Sequence, residues 1–144
     1  MQVQPYLFFE GHCEEALEFY KKALGAEVRS LLRFSDAPKG SGGEECEGQM
    51  PMPADKVMHS ELRVGETTLM CSDGMSQGTP KFEGFSLTIV CTSDAEVSRL
   101  FDAVVTNGGE VQQPLVPTFF ASSFGMAKDR FGLAWMFIHR LPER

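Results

Sequence analysis

The chain reads as an α+β protein in which one strand–helix–strands order is used twice. Three observations carry that reading. An apolar strand candidate runs straight into an amphipathic helix near the N-terminus, the same succession returns about 80 residues later, and 144 residues suit one domain.

The first strand is predicted over Gln4 to Glu10, around Tyr6-Leu7-Phe8-Phe9, and Gly11 ends it. A helix over about residues 12–24 follows. Cys13, Ala16, Leu17, Tyr20 and Leu24 keep a helical period, Glu14 and Glu15 sit in the first turn, Lys21 and Lys22 in the last turns, and Gly25 supplies the stop. Ala26 to Ser35 reads as a strand, with Val28, Leu32 and Phe34 alternating against Ser30. The polar run Asp36 to Lys56 predicts a long loop, in which Met50 and Met52 are the main apolar groups. Two strands, Val57 to Val64 and Thr67 to Asp73, are joined by Gly65-Glu66, a pair suited to a two-residue hairpin turn.

After a flexible connection from Gly74 to Gly84, the order repeats. Phe85 to Thr92 is a strand, and Ser93-Asp94-Ala95-Glu96 is a capping box. Val97, Leu100, Phe101, Val104 and Val105 form the apolar stripe, and Asn107-Gly108 stops the helix. Gly109-Glu110-Val111 echoes Gly25-Ala26-Glu27-Val28. Ala121 to Lys128 and Leu133 to Arg140 close the chain around Asp129-Arg130-Phe131-Gly132, a four-residue turn. The expected organisation is one domain over residues 1–144, with modules at 1–73 and 84–144.

Composition narrows the function. Hydrophobic residues are 42 % and charged residues 23 % of the chain, as in folded globular proteins. A formal net charge of -7 opposes binding to a phosphate backbone, so nucleic acid is not an expected partner. No apolar run approaches the ~20 residues that span a bilayer, and Met1-Gln2-Val3-Gln4-Pro5 lacks signal-peptide character, so a cytoplasmic protein without membrane contact is expected. Cys13, Cys46, Cys71 and Cys91 follow no zinc-binding spacing and read as free thiols in a reducing compartment. Twelve Phe against two Tyr and one Trp call for a large core or an apolar cavity.

The sequence resembles the vicinal oxygen chelate superfamily, which includes glyoxalase I, bleomycin-resistance proteins and extradiol dioxygenases, and within it the PhnB-like, demethylubiquinone methyltransferase-like branch. The stretches that carry the resemblance are Pro5-Tyr6-Leu7-Phe8-Phe9 with Gly11 and Cys13; Ala16-Leu17 with Phe19-Tyr20 and Leu24-Gly25-Ala26; Met58-His59-Ser60-Glu61-Leu62; Leu69-Met70 with Ser72-Asp73; and Asp129-Arg130-Phe131-Gly132 with Trp135-Met136. The resemblance implies paired βαβββ modules, curved mixed sheets around a cavity, helices outside, and a homodimer. It does not imply one reaction.

Metal-dependent members place ligands on the first and last strand of each module. The corresponding positions here are read as Pro5, Met70, Phe85 and Met136, none of which is a hard-metal ligand, so no metal and no other cofactor is expected. The Gly65-Glu66 turn sets Leu62 across from Leu69, Ser60 from Cys71, Glu61 from Met70 and His59 from Ser72. His59, Glu61, Met70 and Ser72 then share one face. The expected small-molecule site is lined by Pro5, Leu7, Phe9, Met70, Ser72, Phe85, Leu87, Met136 and Ile138, with His59 and Glu61 as its ionisable pair.

His59 can act there as general acid or base, oriented by Glu61. The same pair can equally be a satisfied polar contact at a sheet edge or dimer interface, or part of an unusual metal site. The leading function is metal-independent binding of a small, partly apolar molecule, with a lyase, isomerase or dioxygenase-type enzyme using His59 and Glu61 as the alternative. Cys71 falls on the face away from His59, His12 and His139 read as surface residues, and Met50 and Met52 are candidates for a lid. Gly40-Ser41-Gly42-Gly43 lacks the strand-to-helix setting of a methyltransferase cofactor loop.

Overall fold

A computed structural model describes residues 1–36, 53–75 and 78–142. Cys46, Met50, Met52 and Gly40-Ser41-Gly42-Gly43, and with them most of the expected loop, lie outside the described residues. The chain divides into two units, Met1–Pro80 and Lys81–Arg144. Among the described residues each unit carries one α-helix and one four-stranded mixed sheet, so the protein is α+β; neither sheet closes on itself.

The first unit consists of β1 (Tyr6–Phe8), α1 (Cys13–Leu24), β2 (Glu27–Arg33), a single 3-10 turn at Phe34–Asp36, β3 (Val57–Val64) and β4 (Thr67–Ser72). Its sheet order is β1-β4-β3-β2; β1 runs parallel to β4 and the other pairs are antiparallel. α1 buries Cys13, Ala16, Leu17 and Tyr20, the stripe its period predicts. Covering a side chain such as Leu17 is worth about 1.5–3 kcal/mol. Gly25 ends the helix at φ 66°, a left-handed conformation that other residues enter at a penalty.

The start of α1 is unusual. His12 offers no side-chain cap; instead Asp73, just past β4, accepts the Cys13 N–H through Oδ1 at 2.8 Å and the Val57 N–H through Oδ2 at 2.6 Å. The Ser72-Asp73 pattern thus has a structural use: one buried carboxylate ties the helix start to the sheet.

The hairpin pairs Ser60 with Cys71, Glu61 with Met70 and Leu62 with Leu69, as the Gly65-Glu66 turn requires, with Gly65 at φ 58°. Ser60, Leu62, Leu69 and Cys71 are buried on the α1 side, where the Cys13 thiol lies 3.7 Å from the Ser60 hydroxyl.

The second unit repeats the order with β5 (Leu87–Val90), α2 (Asp94–Val105), β6 (Glu110–Val116), β7 (Ala121–Lys128) and β8 (Ala134–Arg140). The sheet order β5-β8-β7-β6 is equivalent, with β5 parallel to β8. Ser93 accepts the Glu96 N–H at 3.1 Å, and the Glu96 carboxylate accepts the Thr92 N–H at 3.2 Å, so the capping box closes one residue further back than its usual form. Phe101 of α2 meets Phe137 of β8 edge-on, with ring centroids 5.5 Å apart. Pro114 sits within β6, an edge strand with register shifts, where a missing N–H is tolerated. Asp129 organises the β7–β8 turn by accepting the N–H groups of Phe131 and Leu133 and the indole N–H of Trp135 at 2.9–3.1 Å.

Two facings differ from the sequence reading. Tyr6, not Pro5, pairs with Met70, and Leu7 pairs with Cys71. Leu7 and Phe9 therefore point to the α1 side, 1 % and 0 % exposed, rather than joining His59. In the second unit Leu87 pairs with Trp135 and Thr88 with Met136, so Leu87 and Met136 lie on opposite faces. Phe85 precedes β5 and is largely exposed. Among the described residues, no helix is long and apolar enough to cross a membrane.

Candidate functional site

The sheet face of the first unit opposite α1 carries the clearest chemistry. Alternation and register place Tyr6 and Phe8 of β1, Met70 and Ser72 of β4, His59 and Glu61 of β3, and Leu32 of β2 on that face. Of the residues expected to line a site, the structure brings together His59, Glu61, Met70 and Ser72. It separates Leu7 and Phe9 from them, while Phe85, Leu87, Met136 and Ile138 belong to the second unit.

His59 has a partner the sequence reading missed. The Tyr6 hydroxyl lies 3.0 Å from His59 Nδ1, and the two rings approach with centroids 5.6 Å apart. Tyr6 also packs on Phe8 at 5.0 Å, and Phe8 is 51 % exposed. No hydrogen bond joins His59 to Glu61 among the described residues; the side-chain hydrogen bond of His59 is to Tyr6. The hairpin fixes the face of His59 and Met70 but not which residue of β1 lies beside Met70, and the unbroken apolar and aromatic run Tyr6-Leu7-Phe8-Phe9 carries no signal for it. Ser72 is buried, and its hydroxyl accepts the Gly74 N–H at 3.1 Å.

Among the described residues the cysteines offer no activated nucleophile. Burial pushes the Cys13 thiol up to about 12 despite the Ser60 hydrogen bond, and burial likewise raises Cys71. Cys91 is pushed up to about 11, first by burial and then by the Glu96 carboxylate.

The second unit holds a Ser/His/Asp cluster. Ser122 Oγ lies 2.6 Å from Asp94 Oδ1 and 2.9 Å from His139 Nδ1, and the same His139 nitrogen is 2.9 Å from Asp94 Oδ1. A nucleophilic relay needs the two imidazole nitrogens to face different partners. Here one nitrogen meets both, so the cluster anchors the first residue of α2 to β7 and β8. His139, expected as a surface residue, is part of that anchor.

With the facings corrected, the first- and last-strand positions on the open faces are Tyr6 and Met70 in one unit and Thr88 and Met136 in the other. A phenol, a hydroxyl and two thioethers do not fit the His and Glu set that the superfamily's metal requires. Among the described residues no three His, Cys, Asp or Glu side chains gather to hold a metal ion.

The fold and this face define a two-module βαβββ protein of the vicinal oxygen chelate kind, a fold also found in solved glyoxalase-related proteins. The family model described as 3-demethylubiquinone-9 3-methyltransferase matches residues 1–138, and the chain belongs to that PhnB-like family. It is similar to Protein YjdN of Escherichia coli, 33 % identical over 138 residues that cover 94 % of this chain and 93 % of that protein. The solved structure of protein PA1353 from Pseudomonas aeruginosa is 41 % identical with a TM-score of 0.80, covering 97 % of this chain and 98 % of that one. A Bacillus cereus protein described as a putative 3-demethylubiquinone-9 3-methyltransferase, PhnB protein, shares the fold at 23 % identity and a TM-score of 0.75, covering 96 % of this chain and 99 % of that chain.

Proposed function

We propose that this protein binds a small, partly apolar molecule on the His59 face of its first unit, without a metal. The observation that carries the reading is the Tyr6–His59 hydrogen bond beside Phe8, Leu32 and Met70: one oriented polar group set in apolar surface. Small-molecule sites have that composition, with a few placed polar atoms giving orientation and apolar contact giving affinity. Glu61 adds a carboxylate on the same face and favours neutral or cationic ligands over anions.

A homodimer is part of this proposal. Phe119 is 94 % exposed and stands with Phe120 and Leu141, also exposed, which is the kind of patch that subunit contacts cover. Methyl transfer is not part of it, because both sheets are mixed four-stranded sheets rather than the doubly wound parallel sheet of common S-adenosylmethionine-dependent enzymes.

The test is a thermal-shift screen of small neutral aromatics and aliphatics on wild-type protein and His59→Ala, with S-adenosylmethionine included. A compound that stabilises the wild type and not the variant supports the reading. Stabilisation by S-adenosylmethionine alone, or equal stabilisation of both proteins by every hit, overturns it. Light scattering on the eluted protein decides the dimer: a monomer mass at micromolar concentration removes that part.

A further inference from the structure

We propose that Tyr6 is the positioning residue of His59, holding the imidazole with its proton on Nε2, and that the ligand therefore presents a neutral carbonyl oxygen to that N–H. The proposal rests on the reading of this face as a binding site and names the chemistry the site selects.

The phenol and the imidazole nitrogen 3.0 Å apart share one hydrogen bond, which can run either way. A phenol O–H is a strong donor and a weak acceptor, whereas an unprotonated imidazole nitrogen is a strong acceptor, so the better pairing at neutral pH is O–H to Nδ1. The reverse would leave the phenol hydrogen without a protein acceptor, since the Tyr6 hydroxyl has no second partner among the described residues. With Nδ1 accepting, the ring proton is on Nε2.

Among the described residues Nε2 has no protein partner either, and no half-buried or buried residue described hides an unpaired side-chain nitrogen or oxygen. Nε2 is therefore open to a ligand. The Glu61 carboxylate on the same face and a formal net charge of -7 oppose an anion. Phe8, Leu32 and Met70 offer apolar contact to the rest of the molecule. A neutral ketone or aldehyde on an apolar body satisfies all of these.

The experiment uses full-length protein labelled with 15N at histidine and two probes of similar size, acetophenone and ethylbenzene. Without ligand, at about pH 8, His59 is expected to show the Nε2–H tautomer, with Nδ1 displaced toward the shift of a hydrogen-bonded acceptor. Tyr6→Phe should remove that displacement and leave the melting temperature nearly unchanged. A wild-type proton on Nδ1, or a His59 spectrum that Tyr6→Phe leaves unaltered, overturns the role of Tyr6.

With ligand, acetophenone should move the Nε2–H resonance and bind Tyr6→Phe about threefold to tenfold more weakly, the range of one neutral hydrogen bond, while ethylbenzene should not distinguish the two proteins. Equal effects of both probes overturn the carbonyl assignment and leave the face as an apolar site. Absence of any effect from either, with the tautomer as expected, overturns the binding reading while Tyr6 keeps its positioning role.

Discussion

Asp73 accepts a hydrogen bond from the backbone N–H of Cys13, sixty positions earlier, and so caps a helix whose own preceding residue does not. Its second oxygen holds the N–H of Val57 at the start of β3. The starts of α1 and β3 and the end of β4 therefore meet on one buried carboxylate.

Replacing Asp73 with Ala leaves two buried N–H groups unpaired, and the expected loss is about 3 kcal/mol of unfolding free energy. Asp73→Asn, which keeps one carbonyl acceptor, should lose less. Urea unfolding followed by circular dichroism measures both. A loss from Asp73→Ala within experimental error of zero would show that the capping bond is dispensable.

Glycines differ in what they do, and two substitutions separate the cases. A Cβ on Gly109 would sit 2.5 Å from Val105 Cα and 2.8 Å from the Val104 and Val105 carbonyl oxygens, all backbone. Gly109→Ala is expected to destabilise by about 3 kcal/mol, at the upper end of overpacking effects. At Gly25 nothing lies within 4 Å and only φ +66° opposes a side chain, so Gly25→Ala should lose only about 1 kcal/mol. Similar losses at the two positions would contradict the steric account.

The buried thiols make stability fall at high pH. Cys13 is raised from 9.0 to about 12 in the folded protein, Cys91 to about 11, and Cys71 is raised as well. Unfolding lets each ionise near its ordinary value, so their contribution is complete below about pH 9 and drains away as pH rises toward 11–12. Cys71→Ala should flatten that decline in urea unfolding measured across the alkaline range. In a Cys46→Ser background, a thiol-reactive dye should label none of the three in native protein and all three in urea.

At acid pH the Asp94 cluster gives the opposite sign. Ser122 first, and His139 second, hold the Asp94 carboxyl below the usual Asp range. Its contribution is present above that range and is lost as pH falls through the lowered value. Ser122→Ala should move the Asp94 titration upward in carboxyl NMR, and no movement would place the cause elsewhere.

His59→Ala should abolish the response to any ligand found by thermal shift while the far-ultraviolet spectrum stays unchanged, because His59 is half-buried on the open face and the core lies on the other side of the sheet. Loss of folded signal instead would make the Tyr6–His59 bond a stabilising contact.

Much of the fold was legible because its determinants are local. The α1 stripe and Gly25 stop, the Ser93–Glu96 cap and the two-residue turn at Gly65-Glu66 each act within a few residues. The turn also settled the register of β3 with β4, hence which side of the sheet His59 and Glu61 occupy. What stayed hidden was the facing of the two first strands. Tyr6, Leu7, Phe8 and Phe9 are all apolar or aromatic, so alternation is silent there, and Leu87, Ile89 and Val90 are little more informative.

The sequence by itself determined the duplicated βαβββ order, the helix ends and the hairpin that sets His59 beside Met70 on one face. Only the tertiary structure decided that β1 lies parallel to β4 with Tyr6 against Met70, which turns Leu7 and Phe9 inward and gives His59 a phenol partner. The physical reason is range. A two-residue turn fixes its own register, but a parallel pairing between strands separated by α1, β2 and β3 is set by how α1 packs on the sheet and by Asp73 reaching back to Cys13.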